Sequence, residues 1–144
     1  MLRELSEAEI DSLARSLIRA QALASSKGLR LCLEGDLEDL GVLQSIMDNP
    51  SQPLVEQQVE DLAYVFGSIF VANGPYDWAR SVQDGYPEDT CVRVTGFALQ
   101  FSPVGYVLKR WDDGARIDFA ESFSDLRQRL SELVFEAAVS SDET

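Results

Sequence analysis

The chain has 144 residues, no histidine and a formal net charge of −13, from 25 acidic against 12 basic side chains. Without histidine it lacks the usual proton shuttle near neutral pH and the commonest metal ligand, which argues against zinc chemistry and ordinary hydrolysis. A field this negative repels nucleic acid and attracts basic surfaces.

Hydrophobic residues make up 45%, a normal globular share, and the length suits a single domain over residues 1–144. The start, Met1 to Glu7, carries acids where a signal peptide needs a basic stretch and then an apolar run. No segment approaches the ~20 apolar residues of a membrane span. A cytoplasmic protein with no membrane partner is expected.

In chain order, Ser6 and Glu9 form a capping box, in which each side chain can satisfy the other's free backbone N–H. Behind it Ile10, Leu13, Ala14, Leu17, Ile18 and Ala24 recur at helical spacing. They predict a helix over 7–26 that stops at Gly28. Leu29 to Leu33 alternates like a strand but is short enough to be an extended connector. Asp36 then caps a second helix bearing Leu37, Leu40, Leu43 and Met47, ending near Asn49-Pro50.

Pro53 suits the first turn of a third helix reaching about Asn73, with Val55, Val59, Leu62, Phe66, Ile69 and Phe70 as its apolar stripe. Gly67 falls inside that stripe, where a glycine costs about 1 kcal/mol against alanine, so close approach of another backbone is expected there. Gly74-Pro75 ends the helix. Period two follows from Trp78 to Val82, with Trp78 anchoring the sheet on the third helix. Beyond the polar loop Asp84 to Asp89, strands are predicted over 90–94 and 97–101, joined by a two-residue turn at Thr95-Gly96.

Ser102-Pro103 reads as the cap and first position of a short helix, with Val104, Val107, Leu108 and Trp111 on one face. A strand over 105–110 is the competing reading. Asp112-Asp113-Gly114 ends that element, and Asp118 with Glu121 opens a last helix. It carries Phe123, Leu126, Leu130, Leu133 and Ala137 to about Val139, leaving a frayed polar tail at 140–144. The fold class is therefore α+β: N-terminal helices, a small antiparallel sheet of about three strands, a short helix and a long C-terminal helix.

Catalytic motifs are absent. The acid pairs Asp112-Asp113 and Glu88-Asp89 do not have the separated, converging oxygens that a Mg²⁺ or Ca²⁺ site needs, so they read as turn acids. Cys32 and Cys91 lie far apart, without CxxC spacing or a histidine base, so no metal, redox pair or cofactor is expected. There is no GxSxG elbow and no phosphate-gripping glycine loop. The expectation is a protein that is not an enzyme.

The aromatics divide in two. Phe66, Phe70, Phe97, Phe101 and Phe123 fall on inward faces and are expected in the core. Tyr76, Tyr86 and Trp111 sit near element ends among acids, and binding surfaces favour such anchors. With the neighbouring acids they give a candidate partner-binding set: Asp84, Tyr86, Glu88, Asp89, Trp111, Asp112 and Asp113. Edge packing for the aromatics and simple solubility for the acids are the plainer alternatives.

A family resemblance runs through the same residues. Gly35-Asp36-Leu37 … Leu43-Gln44-Ser45-Ile46-Met47-Asp48 resembles the "GDL…LQ.ilD" opening of an uncharacterised bacterial family. Leu62 to Val71 is similar to its "LG..FG..lv" helix, with Ala63 in place of the first glycine. Trp78 stands where that family's sheet begins, and Phe101-Ser102-Pro103 … Lys109-Arg110 … Gly114 matches "fP…i.KR…G". The resemblance covers about 35–130, and its motifs are turn glycines, a cap proline and apolar positions. The family is filed as a domain of unknown function and resembles small acidic immunity proteins encoded beside antibacterial toxins. The resemblance implies a cytoplasmic immunity protein that occludes a cognate toxin with a basic surface. The alternatives are a secretion chaperone or adaptor and, third, a small-ligand or enzymatic domain. A homodimer is left open.

Overall fold

The computed structural model describes residues 1–34, 36–50 and 52–142, with side chains as far as Val139. The elements are β1 (Leu2–Arg3), α1 (Glu7–Ser26), α2 (Asp39–Asp48), α3 (Glu56–Ala72), β2 (Tyr76–Ser81), β3 (Asp89–Val94), β4 (Gln100–Phe101), α4 (Pro103–Asp112) and α5 (Phe119–Asp142). The class is α+β, with five helices around an antiparallel sheet of order β1-β2-β3-β4. One strand, β1, was not expected. It pairs Leu2 with Ser81 and Arg3 with Arg80, and Met1 and Val82 exchange backbone bonds beyond it.

Local chemistry accounts for several boundaries. The Ser6 hydroxyl accepts from Glu9 N–H at 3.2 Å while the Glu9 carboxylate accepts from Ser6 N–H at 2.8 Å, so α1 starts at its capping box. Ser102 accepts from Gly105 N–H at 3.0 Å with Pro103 behind it, which makes 103–112 a helix and removes the strand alternative. Asp118 accepts from Glu121 N–H at 3.0 Å at the head of α5. That helix continues through Asp142, past the expected stop; 143 and 144, the end of the expected frayed tail, lie outside the described residues.

Other boundaries move. The Asp36 carboxylate accepts from Glu38 N–H, making a tight turn, and α2 begins only at Asp39. Leu37 consequently stands outside the helix and half exposed, while Ile46 takes a core position. Pro53 precedes α3, whose start is set by the Gln58 side chain accepting from Val55 N–H at 3.0 Å; Val55 itself is exposed. The two-residue hairpin is replaced by a longer connection. Thr95 N–H bonds to Pro75 O, Phe97 N–H turns back to Val94 O over Gly96 (φ +86), and Val94 pairs with Leu99. This shortens β4 to two residues and leaves Phe97 partly exposed rather than in the core.

The Leu29–Leu33 stretch is an extended connector held by side chains. Gln21 clamps Leu31 through both its amide groups, at 2.8 and 2.9 Å. The buried Asp39 carboxylate accepts from Cys32 N–H at 2.8 Å and Leu33 N–H at 3.2 Å, where Leu33 takes a left-handed φ of 60°. Gln44 in α2 bonds Ile117 O and Phe119 N–H in the same two-pronged way, fastening the start of α5.

The core lies between the helices and one sheet face. Phe70 is its centre, within 4.6 to 5.6 Å (ring centroids) of Phe66, Tyr76, Phe101 and Phe123, and Phe119 joins through Phe66. Strand alternation turns Tyr76, Trp78, Val92 and Val94 toward the helices, leaving Asp77 and Arg93 to pair on the outer face. Gly67 is closely approached as expected, but by side chains instead of a backbone. A Cβ there would stand 2.5 Å from Trp78 Cη2 and 2.8 Å from Pro103 Cγ.

Candidate functional site

The β2–β3 connection builds the main candidate surface. Asp84 and Gly85 form a turn closed by Tyr86 N–H to Gln83 O at 3.1 Å, with Gly85 at φ +83. The turn lifts Tyr86 away from the body, leaving the residue 68% exposed. Below it lies an open concavity of about 500 Å³ lined by Tyr86, Glu88, Asp89, Gln83, Gln100 and Ser102, with Cys91 at its floor. Three of the residues expected in this loop, Tyr86, Glu88 and Asp89, therefore line one concavity, while Asp84 sits in the turn beside it.

Their availability differs. Glu88 is tied to Arg80 at 3.5 Å and Arg3 at 3.6 Å. Both arginines also hold Glu9: Arg3 grips it at 2.8 and 3.0 Å and Arg80 reaches it at 3.0 Å. The Arg3 hydrogen bonds, helped by Ser6 N–H, hold the Glu9 carboxyl down at about 2. Asp89 is half-buried in β3, whereas Asp84 is exposed and has no ion-pair partner among the described residues. Burial, then the Asp89 charge, pushes the Cys91 thiol up to about 12, so the floor of the concavity holds a protonated, unreactive sulfur.

Trp111, Asp112 and Asp113 belong to a separate surface at the other end of α4. Ser102 at the helix start lines the first concavity, and nine residues of rise put Trp111 roughly 14 Å further along the axis. Trp111 is half-buried in a second hollow of about 370 Å³ with Met47, Asp48, Arg116 and Ile117. Asp112 and Asp113 are exposed beside the C-terminal carbonyls, the end at which a helix disfavours negative charge. Neither has an ion-pair partner among the described residues. The nearby Arg110 turns onto the Tyr106 ring, 3.5 Å from its centroid. Tyr76, the other expected contact residue, is buried against Phe70 and is core.

Sequence reasoning missed the basic half of the first surface. Arg3 reaches Glu88 and Arg80 reaches Glu9 only because β1 pairs with β2, and no local pattern announces a two-residue strand. Cys32 and Cys91 are both free thiols. Among the described residues no three metal-ligating side chains converge, and no helix is long and apolar enough to cross a membrane.

An α+β fold offering two acidic, aromatic-bearing patches on its exterior is the class of molecule this geometry defines. The chain belongs to the domain family described as "Domain of unknown function (DUF3806)", whose model matches residues 39–123 and so includes both patches. None of the curated proteins matches the chain. A solved protein from Bacteroides thetaiotaomicron VPI-5482, a crystal structure at 1.50 Å resolution, is similar in fold with a TM-score of 0.78 and 15% identity. The match covers 90% of this chain and 47% of that one, so the chain spans about half the length of that protein.

Proposed function

We propose that this protein acts by binding, as an immunity protein whose acidic exterior occludes the basic surface of a cognate toxin in the cytoplasm. The observation that carries the reading is the unequal engagement of its charges. Arg3, Arg19, Arg80, Arg93 and Arg116 pair with acids of the same chain, while Asp84, Asp112 and Asp113 face solvent beside Tyr86 and Trp111. An exposed tyrosine beside the unpaired Asp84, with Asp112 and Asp113 unpaired at the second patch, suits a cationic partner: the acids steer encounter and the ring supplies the buried anchor. The unreactive thiol and the open, shallow hollows favour binding over catalysis.

Calorimetric titration with the product of the adjoining gene tests the reading. Tyr86→Ala is expected to weaken binding by about 2 kcal/mol, roughly 30-fold in Kd. The double Asp112→Arg, Asp113→Arg variant reports on the second patch. Full affinity in both variants would exclude both surfaces, and no binding by the wild type would remove the reading.

One observation favours a second reading, a chaperone or adaptor that holds an extended client on an apolar surface. Ile10 and Ile18 on α1 and Phe135 on α5 are all exposed. Preferential capture of an unfolded segment over a folded basic protein would select it.

A further inference from the structure

The hollow between α5 and the β3–β4 connection is lined without an acid, in a chain that has 25 of them. It measures about 240 Å³. Val94, Phe97, Leu130 and Val134 give it apolar walls, and Arg127, Leu130, Ser131 and Val134 fall at the spacing of one helix face. Two polar groups of this lining lack partners within the described chain. Tyr76 is 8% exposed, and its ring is fixed from two sides: Phe70 packs on it at 5.6 Å, and a Cβ on Gly74 would collide with it. Its hydroxyl makes no hydrogen bond to a described residue, yet no buried side-chain oxygen is left without a partner. The small accessible part of Tyr76 therefore includes the hydroxyl, at the wall of the hollow. Arg127, half-buried, makes no ion pair among the described residues. Its guanidinium carbon stands 5.2 Å from the centroid of Phe123, which packs on Phe70 in turn. A guanidinium over an aromatic face keeps N–H donors available at its edge.

We propose that this hollow binds a small organic acid, whose apolar body fills the walls and whose carboxylate is received by Arg127 and the Tyr76 hydroxyl. Size sets the body. An apolar cavity of roughly 150 Å³ takes benzene, so about 240 Å³ suits about ten non-hydrogen atoms. Charge and hydrogen bonding set the head group. A carboxylate accepts from both donors at once, whereas an ammonium accepts from neither and meets a like charge. The acid excess of the chain makes its exterior a poor place for an anion, so the acid-free lining around an unpaired arginine stands apart from the rest of the surface. A few convergent polar groups in an apolar hollow are the ordinary make-up of a small-ligand site. The partly exposed Phe97 then has a role, as the wall a ligand would cover. The inference does not depend on the toxin reading, which concerns other surfaces.

Titration of the whole chain with 3-phenylpropionate, read by calorimetry and by backbone amide shifts, tests the site. The amide and the amine of the same skeleton, 3-phenylpropanamide and 3-phenylpropylamine, are the neutral and cationic controls. The acid is expected to bind with a Kd of about 1 mM or tighter, and about tenfold more tightly than the amide. The amine should not bind at this site, and the shifts caused by the acid should centre on Val94, Phe97 and Leu130. Arg127→Gln should weaken the acid about tenfold and erase its advantage over the amide. Tyr76→Phe keeps the ring and should weaken the acid about threefold. The wild-type ligand series is decisive even where a substitution unsettles the fold. No binding of the acid at about 10 mM, equal binding of acid and amide, shifts centred on another surface, or full acid affinity in Arg127→Gln overturns the proposal. N-acetylglycylphenylalanine offers its carboxylate as a chain end. Tighter binding of that peptide than of the free acid would assign the site to a protein C-terminus and overturn the small-molecule reading.

Discussion

Trp78 fills the space that any side chain on Gly67 would need: its Cη2 lies 2.5 Å from where a Cβ would stand, in the middle of α3. The glycine lets the central sheet strand seat its indole directly on the helix backbone, with Pro103 of α4 closing the other side at 2.8 Å. One missing methyl group thus joins α3, β2 and α4.

Gly67→Ala should therefore destabilise the fold, although alanine is the better helix former. Overpacking costs about 1–3 kcal/mol and the propensity gain returns about 1 kcal/mol. Urea unfolding of Gly67→Ala, Trp78→Phe and the double variant checks this. The smaller ring should relieve much of the alanine's cost, and strictly additive losses would show that the two residues are not in conflict.

Leu130→Ala tests the docking of α5. Leu130 is 5% exposed and packs near Tyr76 and Val94. A loss of about 2–5 kcal/mol is expected. A thermal melt without a shift would place that part of the helix off the core.

Asp39→Ala should cost about 1–3 kcal/mol, because it strands two backbone N–H groups of the Cys32–Leu33 connector. Asp39→Asn, which keeps one acceptor, should lose less. Equal losses in the two variants would mean that the carboxylate acts only as a space-filler.

Glu9 sets an acid limit on stability. Its carboxyl is held at about 2 in the fold, chiefly by Arg3, against an ordinary 4.5. A depressed carboxyl contributes stability that is fully present above the unfolded value and lost as pH falls from about 4.5 toward 2. Glu9→Gln should lower stability at neutral pH and flatten the decline across that window. Parallel pH–stability curves for the variant and the wild type would contradict the assignment.

Local signals translated well where the physics is local. The Ser6–Glu9 box, the Ser102–Pro103 start and the Asp118 cap each involve partners within three residues, and each stands where the spacing put it. The failures are non-local. Val55 and Phe97 are apolar and correctly periodic, yet both are exposed, because the chain leaves the body just before α3 and just after β3. The candidate site was half legible. Tyr86, Glu88 and Asp89 line one concavity, but Glu88 is already held by Arg3 and Arg80, and Trp111 belongs to a different surface.

By itself the sequence determined the helices and the caps of α1, α4 and α5, the acid excess, the lack of histidine chemistry and the residues that could meet a partner, since these depend on composition and short spacings. Only the tertiary structure decided which charges remain free and which apolar rows are covered. Strand β1 pairs with β2, far along the chain, to bring Arg3 onto Glu88 and Arg80 onto Glu9. The small Ser16–Ala20–Ala24 face of α1, not the isoleucine face, was chosen to meet α3, because small residues let two helices approach closely while larger ones hold them apart.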